Sequence, residues 1–251
     1  MKISEVKAFL ETINNINEYN ALALHSDERV GVQKLLKQKF NLLQKDLLLV
    51  EKYNEMNYYE NSFDSSVIAG IDEVGRGPLA GEVVAAAVIL KDKIIGLDDS
   101  KKLSEKKRNE LYYKIIETCD YGIGIATVDE IDTLNIYEAT KVAMKRAVDS
   151  LESKPDHLLV DAMTLNIGIP ETKIIKGDSV SNSIAAASIV AKVFRDERMK
   201  NYAKEYPGYG FEKNSGYGTK EHLEGINQHG VTEIHRKSFQ PIKDILSKLS
   251  E

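Results

Sequence analysis

Between Val67 and about Tyr206 the chain alternates short apolar runs with longer amphipathic stretches. That alternation restricts the fold more than any other feature. The runs Val67–Asp72, Val83–Leu90, Tyr121–Val128, His157–Asp161 and Lys173–Lys176 have the length and apolar character of strands. Ser104–Cys119, Asn135–Ser150 and Ser181–Tyr206 are expected helices. Small residues at Ala185, Ala186, Ala187 and Ala191 would let the last helix lie close against a sheet. Strands interleaved with helices predict an α/β domain whose sheet is at least partly parallel.

The flanks differ in texture. Residues 1–66 hold no proline and one glycine, Gly31, with Ser4 and Ser26 as candidate helix caps. Leu36, Phe40, Leu43, Leu47 and Val50 recur every three to four residues, an amphipathic stripe too short for a coiled coil. Lys34, Lys37, Lys45 and Lys52 lie mostly off that stripe, so a helical extension is expected whose lysines are either solvated or turned toward nucleic acid. The C-terminal part, 207–251, opens with the Gly-rich turn PGYGFEKNSGYGT and is expected to end in one or two helices packed on the central domain, 67–206. With 34 Lys+Arg against 39 Asp+Glu the formal charge is −5, which weighs against a general nucleic-acid binder unless its basic residues are locally concentrated. A single cysteine, Cys119, excludes an internal disulfide and a Cys-rich zinc site, and fits a reducing compartment. No apolar stretch approaches 18 residues and the N-terminus lacks a secretory pattern, so a cytoplasmic protein without membrane contact is expected.

Four carboxylates stand at predicted strand ends: Asp72, Glu73, Asp161 and Asp178. Any one of them is an ordinary turn or cap residue. Brought together, they would raise one another's pKa unless a cation neutralised them. Hard oxygen donors suit Mg²⁺ or Mn²⁺, and two such ions can bind the attacking and leaving oxygens of a phosphodiester. Directly beyond the first pair, Gly75 and Gly77 flank Arg76, where backbone can approach a ligand closely and a guanidinium offers a phosphate fork. This is neither a Walker loop nor a dinucleotide-binding turn. In Asp98–Arg108 the cations Lys101, Lys102, Lys106, Lys107 and Arg108 crowd a helix N-terminus against its dipole. A solvated face accounts for most of these, with Lys101 set apart as a candidate anion ligand. Tyr217, between two glycines, could stack on a sugar or base. His222, His229 and His235 lack zinc spacing, and only His222 is a candidate neighbour of a site. No G-x-S-x-G elbow supports a Ser/His/Asp hydrolase.

The segments GIDEVGRGPLAG, DDSKKLSEKKR, LLVDA, KGDSVSNSIAAASIVAKVFRDERM and YPGYGFEKNSGYGTKEH resemble bacterial ribonuclease HII, the type 2 ribonuclease H, over roughly residues 67–225. The resemblance implies a ribonuclease H-like α/β fold, a mixed five-stranded sheet flanked by helices, with N- and C-terminal helical parts. It implies Asp72, Glu73, Asp161 and Asp178 as catalytic, metal-binding acids holding two Mg²⁺ or Mn²⁺ ions. It implies Gly75, Arg76 and Gly77 as readers of a ribose 2′-OH, Tyr217 as the residue stacking on the following deoxyribose, and Lys101 as a phosphate contact. Expected substrates are RNA/DNA hybrids and duplex DNA containing ribonucleotides, cut 5′ to the ribonucleotide by a monomer. The expected role is ribonucleotide and primer removal. Type 3 ribonuclease H shares the acids but not the arginine. A non-catalytic nucleic-acid-binding module and a DNA-specific nuclease of the same fold are the alternatives.

Overall fold

In the computed structural model, which describes residues 1–64 and 67–249, the run after Val67 forms β1 (Ile68–Val74), the middle strand of a five-stranded sheet. Its neighbours are β2 (Val83–Ile89), antiparallel, and β4 (His157–Asp161), parallel. The antiparallel β3 (Asp120–Ala126) and the parallel β5 (Glu171–Ile174) form the edges, so the order is β3-β2-β1-β4-β5 and the sheet is mixed.

Both faces are covered by helices. On one, α6 (Ile136–Asp149) sets Ala139, Ala143, Met144 and Ala147 against Ala69, Ile71, Ala85, Ala87, Leu158 and Val160, alternate positions of their strands. On the other lies α7 (Asn182–Glu205), whose first turn passes over Gly70. A β-carbon at Gly70 would fall 2.1 Å from the carbonyl carbon of Ser183, so only glycine admits this approach. Helix α4 (Glu105–Thr118) is capped by Ser104, whose hydroxyl accepts from the Lys107 amide at 3.3 Å. Cys119 closes it and is buried.

Three boundaries differ from the sequence reading. Strand β1 runs on to Val74, so Asp72 is not its last residue and Glu73 lies within it rather than beyond it. The fifth strand is Glu171–Ile174 rather than Lys173–Lys176, because Lys176 turns left-handed with φ 57°. Thr127 and Glu130 form a capping box that starts α5 (Val128–Leu134), a helix the apolar pattern did not suggest.

The C-terminal elements α8 (Phe211–Asn214), α9 (Lys220–His229) and α10 (Ile242–Leu249) pack Phe211, Ile226 and Ile242 with Leu79, Ala80 and Met199.

The chain forms two compact units, Met1–Glu55 and Met56–Glu251. The first holds α1 (Ile3–Glu11), α2 (Ile16–Asn20) and most of α3 (Val30–Met56). Its core is Val6, Leu10, Ile13, Tyr19, Val32, Leu36 and Leu43. Leu47 of the expected stripe is exposed. Neither Ser4 nor Ser26 caps a helix: Lys2 precedes α1 and its amide donates to Glu5 at 2.8 Å, while Ser26 ends a 3₁₀ turn. The division falls earlier than residue 66, since residues 56–64 belong to the larger unit. There Glu60 accepts from the Ser183 amide at 2.9 Å and Phe63 stacks on His157. No helix among the described residues is long and apolar enough to cross a membrane.

Candidate active site

The parallel register of β1 and β4 decides what stands at their ends. Ile71 lies opposite Val160, so the next pair along is Asp72 beside Asp161, with side chains on the α7 face. Glu73 follows, and the carboxylates of Asp72, Glu73 and Asp161 each offer an oxygen within 4.8 Å of the others. Topology, not local sequence, creates this cluster.

Its electrostatics are unfavourable without a counter-charge. Burial, then the charges of Glu73 and Asp161, pushes the Asp72 carboxyl well above the usual range. Burial raises Glu73 as well, opposed by Arg76, whose guanidinium reaches Glu73 at 3.4 Å. The other Glu73 oxygen, Oε2, is buried and has no hydrogen-bond partner among the described residues. Asp161 is raised by burial although its Oδ1 accepts from the Gly177 amide at 2.6 Å. Crowded hard oxygens with an orphaned lone pair fit a divalent cation of the Mg²⁺ or Mn²⁺ kind.

Asp178 lies in a 3₁₀ turn at Gly177–Ser179 and is not one of the three acids that converge within 4.8 Å. It is electrostatically joined to them: burial raises it first, then Asp99 and Asp161, while Lys101 opposes. Asp99 is an acid that the sequence reading passed over. Lys101 is exposed and also opposes the rise at Asp161. The rest of the basic bunch is largely spoken for. Lys102 donates to Ser179 at 3.0 Å, Lys107 approaches Glu110 at 3.5 Å, and Arg108 donates to the carbonyls of Ser100 and Leu103.

Beyond β1, Gly75 is left-handed at φ 90°, and a β-carbon there would fall 2.2 Å from Nε of Arg195. Two fully buried arginines clasp this loop. Arg236 donates to the carbonyls of Gly75, Arg76 and Gly81 at 2.5, 2.9 and 2.9 Å. Arg195 donates to those of Ala80, Glu82 and Ser215 at 3.1, 3.0 and 2.9 Å. The Gly75–Gly77 loop is thereby tied to the turn holding Tyr217. Tyr217 is 47% exposed. It lies beside Gly77, where a β-carbon would stand 3.4 Å from Tyr217 Cε1.

Sequence reasoning missed both arginines. Arg195 was recoverable, since it falls eleven residues after Ile184 on the buried side of α7. Arg236 carries no local signal. His222 is buried and hydrogen-bonded rather than lining the acids, with Nδ1 2.9 Å from the Tyr217 carbonyl and Nε2 3.1 Å from Nε2 of His235.

Comparison with known proteins agrees with this geometry. The family model described as Ribonuclease HII matches residues 69–242, and one described as Ribonuclease HII N-terminal domain matches residues 2–64. The chain is 51% identical to the ribonuclease HII of Staphylococcus aureus (strain MSSA476) over 98% of this chain and 99% of that protein. Among solved structures, ribonuclease H2 from Pyrococcus horikoshii OT3 superposes with a TM-score of 0.62 at 29% identity, covering 74% of this chain and 99% of that one. Ribonuclease HII from Archaeoglobus fulgidus, solved in complex with PCNA, gives 0.59 at 26% identity over 69% and 95%.

Proposed function

The chain belongs to the ribonuclease HII family of hydrolytic endonucleases, and from that premise we propose that it cuts the phosphodiester 5′ to a ribonucleotide in RNA/DNA hybrids and in duplex DNA. The carrying observation is the convergence of Asp72, Glu73 and Asp161 at the start of the Gly75–Gly77 loop, whose Gly77 lies beside the exposed Tyr217.

Asp72, Glu73 and Asp161, completed by Asp178, would hold the catalytic cations. Two Mg²⁺ or Mn²⁺ ions, if bound there, would supply Lewis-acid stabilisation of the attacking and leaving oxygens, and the expected ends are 3′-hydroxyl and 5′-phosphate. Asp161 is held in place by the Gly177 amide, and Glu73 is steered by Arg76. The Gly75–Arg76–Gly77 backbone, fixed by Arg236, meets the ribose 2′-OH, the group that distinguishes RNA from DNA. The exposed Tyr217 ring stacks on the next sugar, so the pair reads an RNA-to-DNA junction. Lys101 contacts a backbone phosphate. The role that follows is removal of misinserted ribonucleotides and RNA primers in the cytoplasm.

The N-terminal unit is proposed to add backbone affinity. From Val30 to Lys45, α3 contains Lys34, Lys37, Lys39 and Lys45 and no acidic residue. Lys34, Lys37 and Lys45 are exposed.

The test is incision of a duplex holding one embedded ribonucleotide, with Mg²⁺, with Mn²⁺ and with chelator, beside an all-DNA duplex. Metal-dependent incision at the ribonucleotide alone is expected. Absence of incision with either metal refutes the assignment, and equal cutting of all-DNA duplex would make it a DNA nuclease. Arg76→Ala keeps the loop backbone but removes the guanidinium that steers Glu73, and should lower selectivity for the embedded ribonucleotide by about tenfold, the scale of that lost charged hydrogen bond. Unchanged selectivity would remove Arg76 from the reading element.

A further inference from the structure

His222 and His235 are wholly buried, and their hydrogen bonds determine where both protons are. The Thr232 amide lies 2.9 Å from Nδ1 of His235. An amide N–H can only donate, so this Nδ1 carries a lone pair and the neutral ring holds its proton on Nε2. That Nε2–H faces Nε2 of His222 at 3.1 Å, which therefore accepts. The His222 proton is left on Nδ1, donating to the Tyr217 carbonyl at 2.9 Å. One directed chain of bonds runs from Thr232 through two imidazoles to the backbone of Tyr217. Phe211 and Tyr209 flank the rings, with centroids 5.1 Å from His222 and 5.4 Å from His235 respectively.

The far end of this chain is anchored to the other half of the substrate reader. His235 bridges to Ala80, the Arg236 amide donates to Leu79 at 2.8 Å, and the Gly81 amide donates to Ile234 at 2.8 Å. Leu79 in turn donates to the Gly216 carbonyl at 2.8 Å. The strip that continues Gly75–Gly77 is therefore paired on one side with the His235 segment and on the other with the Tyr217 turn. The imidazole pair joins those two segments and closes the ring of bonds.

We propose that His222 and His235 are positioning residues that fix the Tyr217 turn against the Gly75–Gly77 loop and thereby set the preference for an RNA-to-DNA junction. The inference rests on the assignment of Tyr217 as the sugar-stacking residue. The conservative replacements differ in what they keep. In His222→Asn the side-chain amide nitrogen takes the place of Nδ1 and can still donate to Tyr217. In His222→Gln the side-chain amide reaches the place of Nε2, where its Oε1 can accept from His235, and the donor to Tyr217 is lost.

The experiment compares kcat/KM of the full chain, with Mg²⁺, on a duplex with one embedded ribonucleotide and on a uniform RNA/DNA hybrid. His222→Gln should lower the ratio of the two by about tenfold, the scale of a lost buried hydrogen bond. His222→Asn should stay near the wild-type ratio. Combined with Tyr217→Ala, His222→Gln should cost nothing further, because both act through one ring. An unchanged ratio in folded His222→Gln, or an undiminished second loss in the Tyr217→Ala background, overturns the inference. If Tyr217→Ala alone keeps the wild-type ratio, the stacking assignment fails, and this inference with it. A loss in Tyr217→Ala without one in His222→Gln removes this inference only. Imidazole ¹⁵N shifts of the wild-type chain give a check independent of any variant: protonated Nδ1 in His222 and protonated Nε2 in His235 are expected, and the opposite tautomers overturn the proposal.

Discussion

Asp72 occupies a position that a folding chain would avoid on stability grounds alone: a buried carboxylate beside two others. At neutral pH such a group opposes folding, since its folded pKa lies above its unfolded one and charge is favoured in the unfolded chain. Asp72→Asn should therefore raise Tm in chelator, at roughly 2–4 °C per kcal/mol relieved in a chain of this size. The same variant should lose cleavage by roughly a thousandfold, the scale of several kcal/mol of charge stabilisation, while still binding hybrid. Adding Mg²⁺ should raise the wild-type Tm more than that of the variant. Differential scanning fluorimetry with and without metal, alongside fluorescence anisotropy with labelled hybrid, measures all three. A variant less stable than wild type in chelator would contradict the charge argument.

Among the elements, α7 depends on an acid distant in sequence. Glu60 accepts from the Ser183 amide and from the hydroxyls of Ser181 and Ser183, all at the helix N-terminus. Glu60→Ala should cost about 1–3 kcal/mol in urea unfolding, from lost bonds and a lost favourable dipole interaction. A second element-level effect comes from His235, which burial and the neighbouring His222 push down to about 4. The unfolded chain binds that proton near the ordinary value of 6.5. Stability should accordingly fall as pH drops from about 6.5 to about 4 and lose nothing more from this group below that. Unfolding midpoints across this range should show a shallower slope in His235→Gln. The main strands and helices were legible because their apolar period is local, and three of the acids because each follows directly on an apolar strand run, in β1 and at the end of β4. Helix α5 hid behind the apolar tail of β3, though the T-x-x-E box at Thr127–Glu130 was readable. Arg236 and Glu60 were not legible, since their partners lie 155 and 123 residues away. Nothing in a one-dimensional pattern ranks such pairings.

The whole molecule carries a net charge of −5, yet its N-terminal unit presents a face of the opposite sign. Lys34 and Lys45 are separated by eleven residues, or about 16 Å of helix, a span covering several backbone phosphates. Replacing Lys34, Lys37 and Lys45 by alanine should reduce the slope of log affinity for hybrid against log salt by about 2–3. Cleavage at saturating substrate should be unchanged. Anisotropy titrations over a range of KCl concentrations measure the slope, and an identical slope would show that this face does not touch the substrate. The register that sets Asp72 beside Asp161 has one more consequence, for how such a chain can vary over time. Inserting or deleting a single residue upstream within β1 or β4 would leave the apolar count nearly intact, yet would send one carboxylate to the opposite face of the sheet. Away from Gly70 and the acids, substitutions can accumulate along these two strands; changes of length cannot.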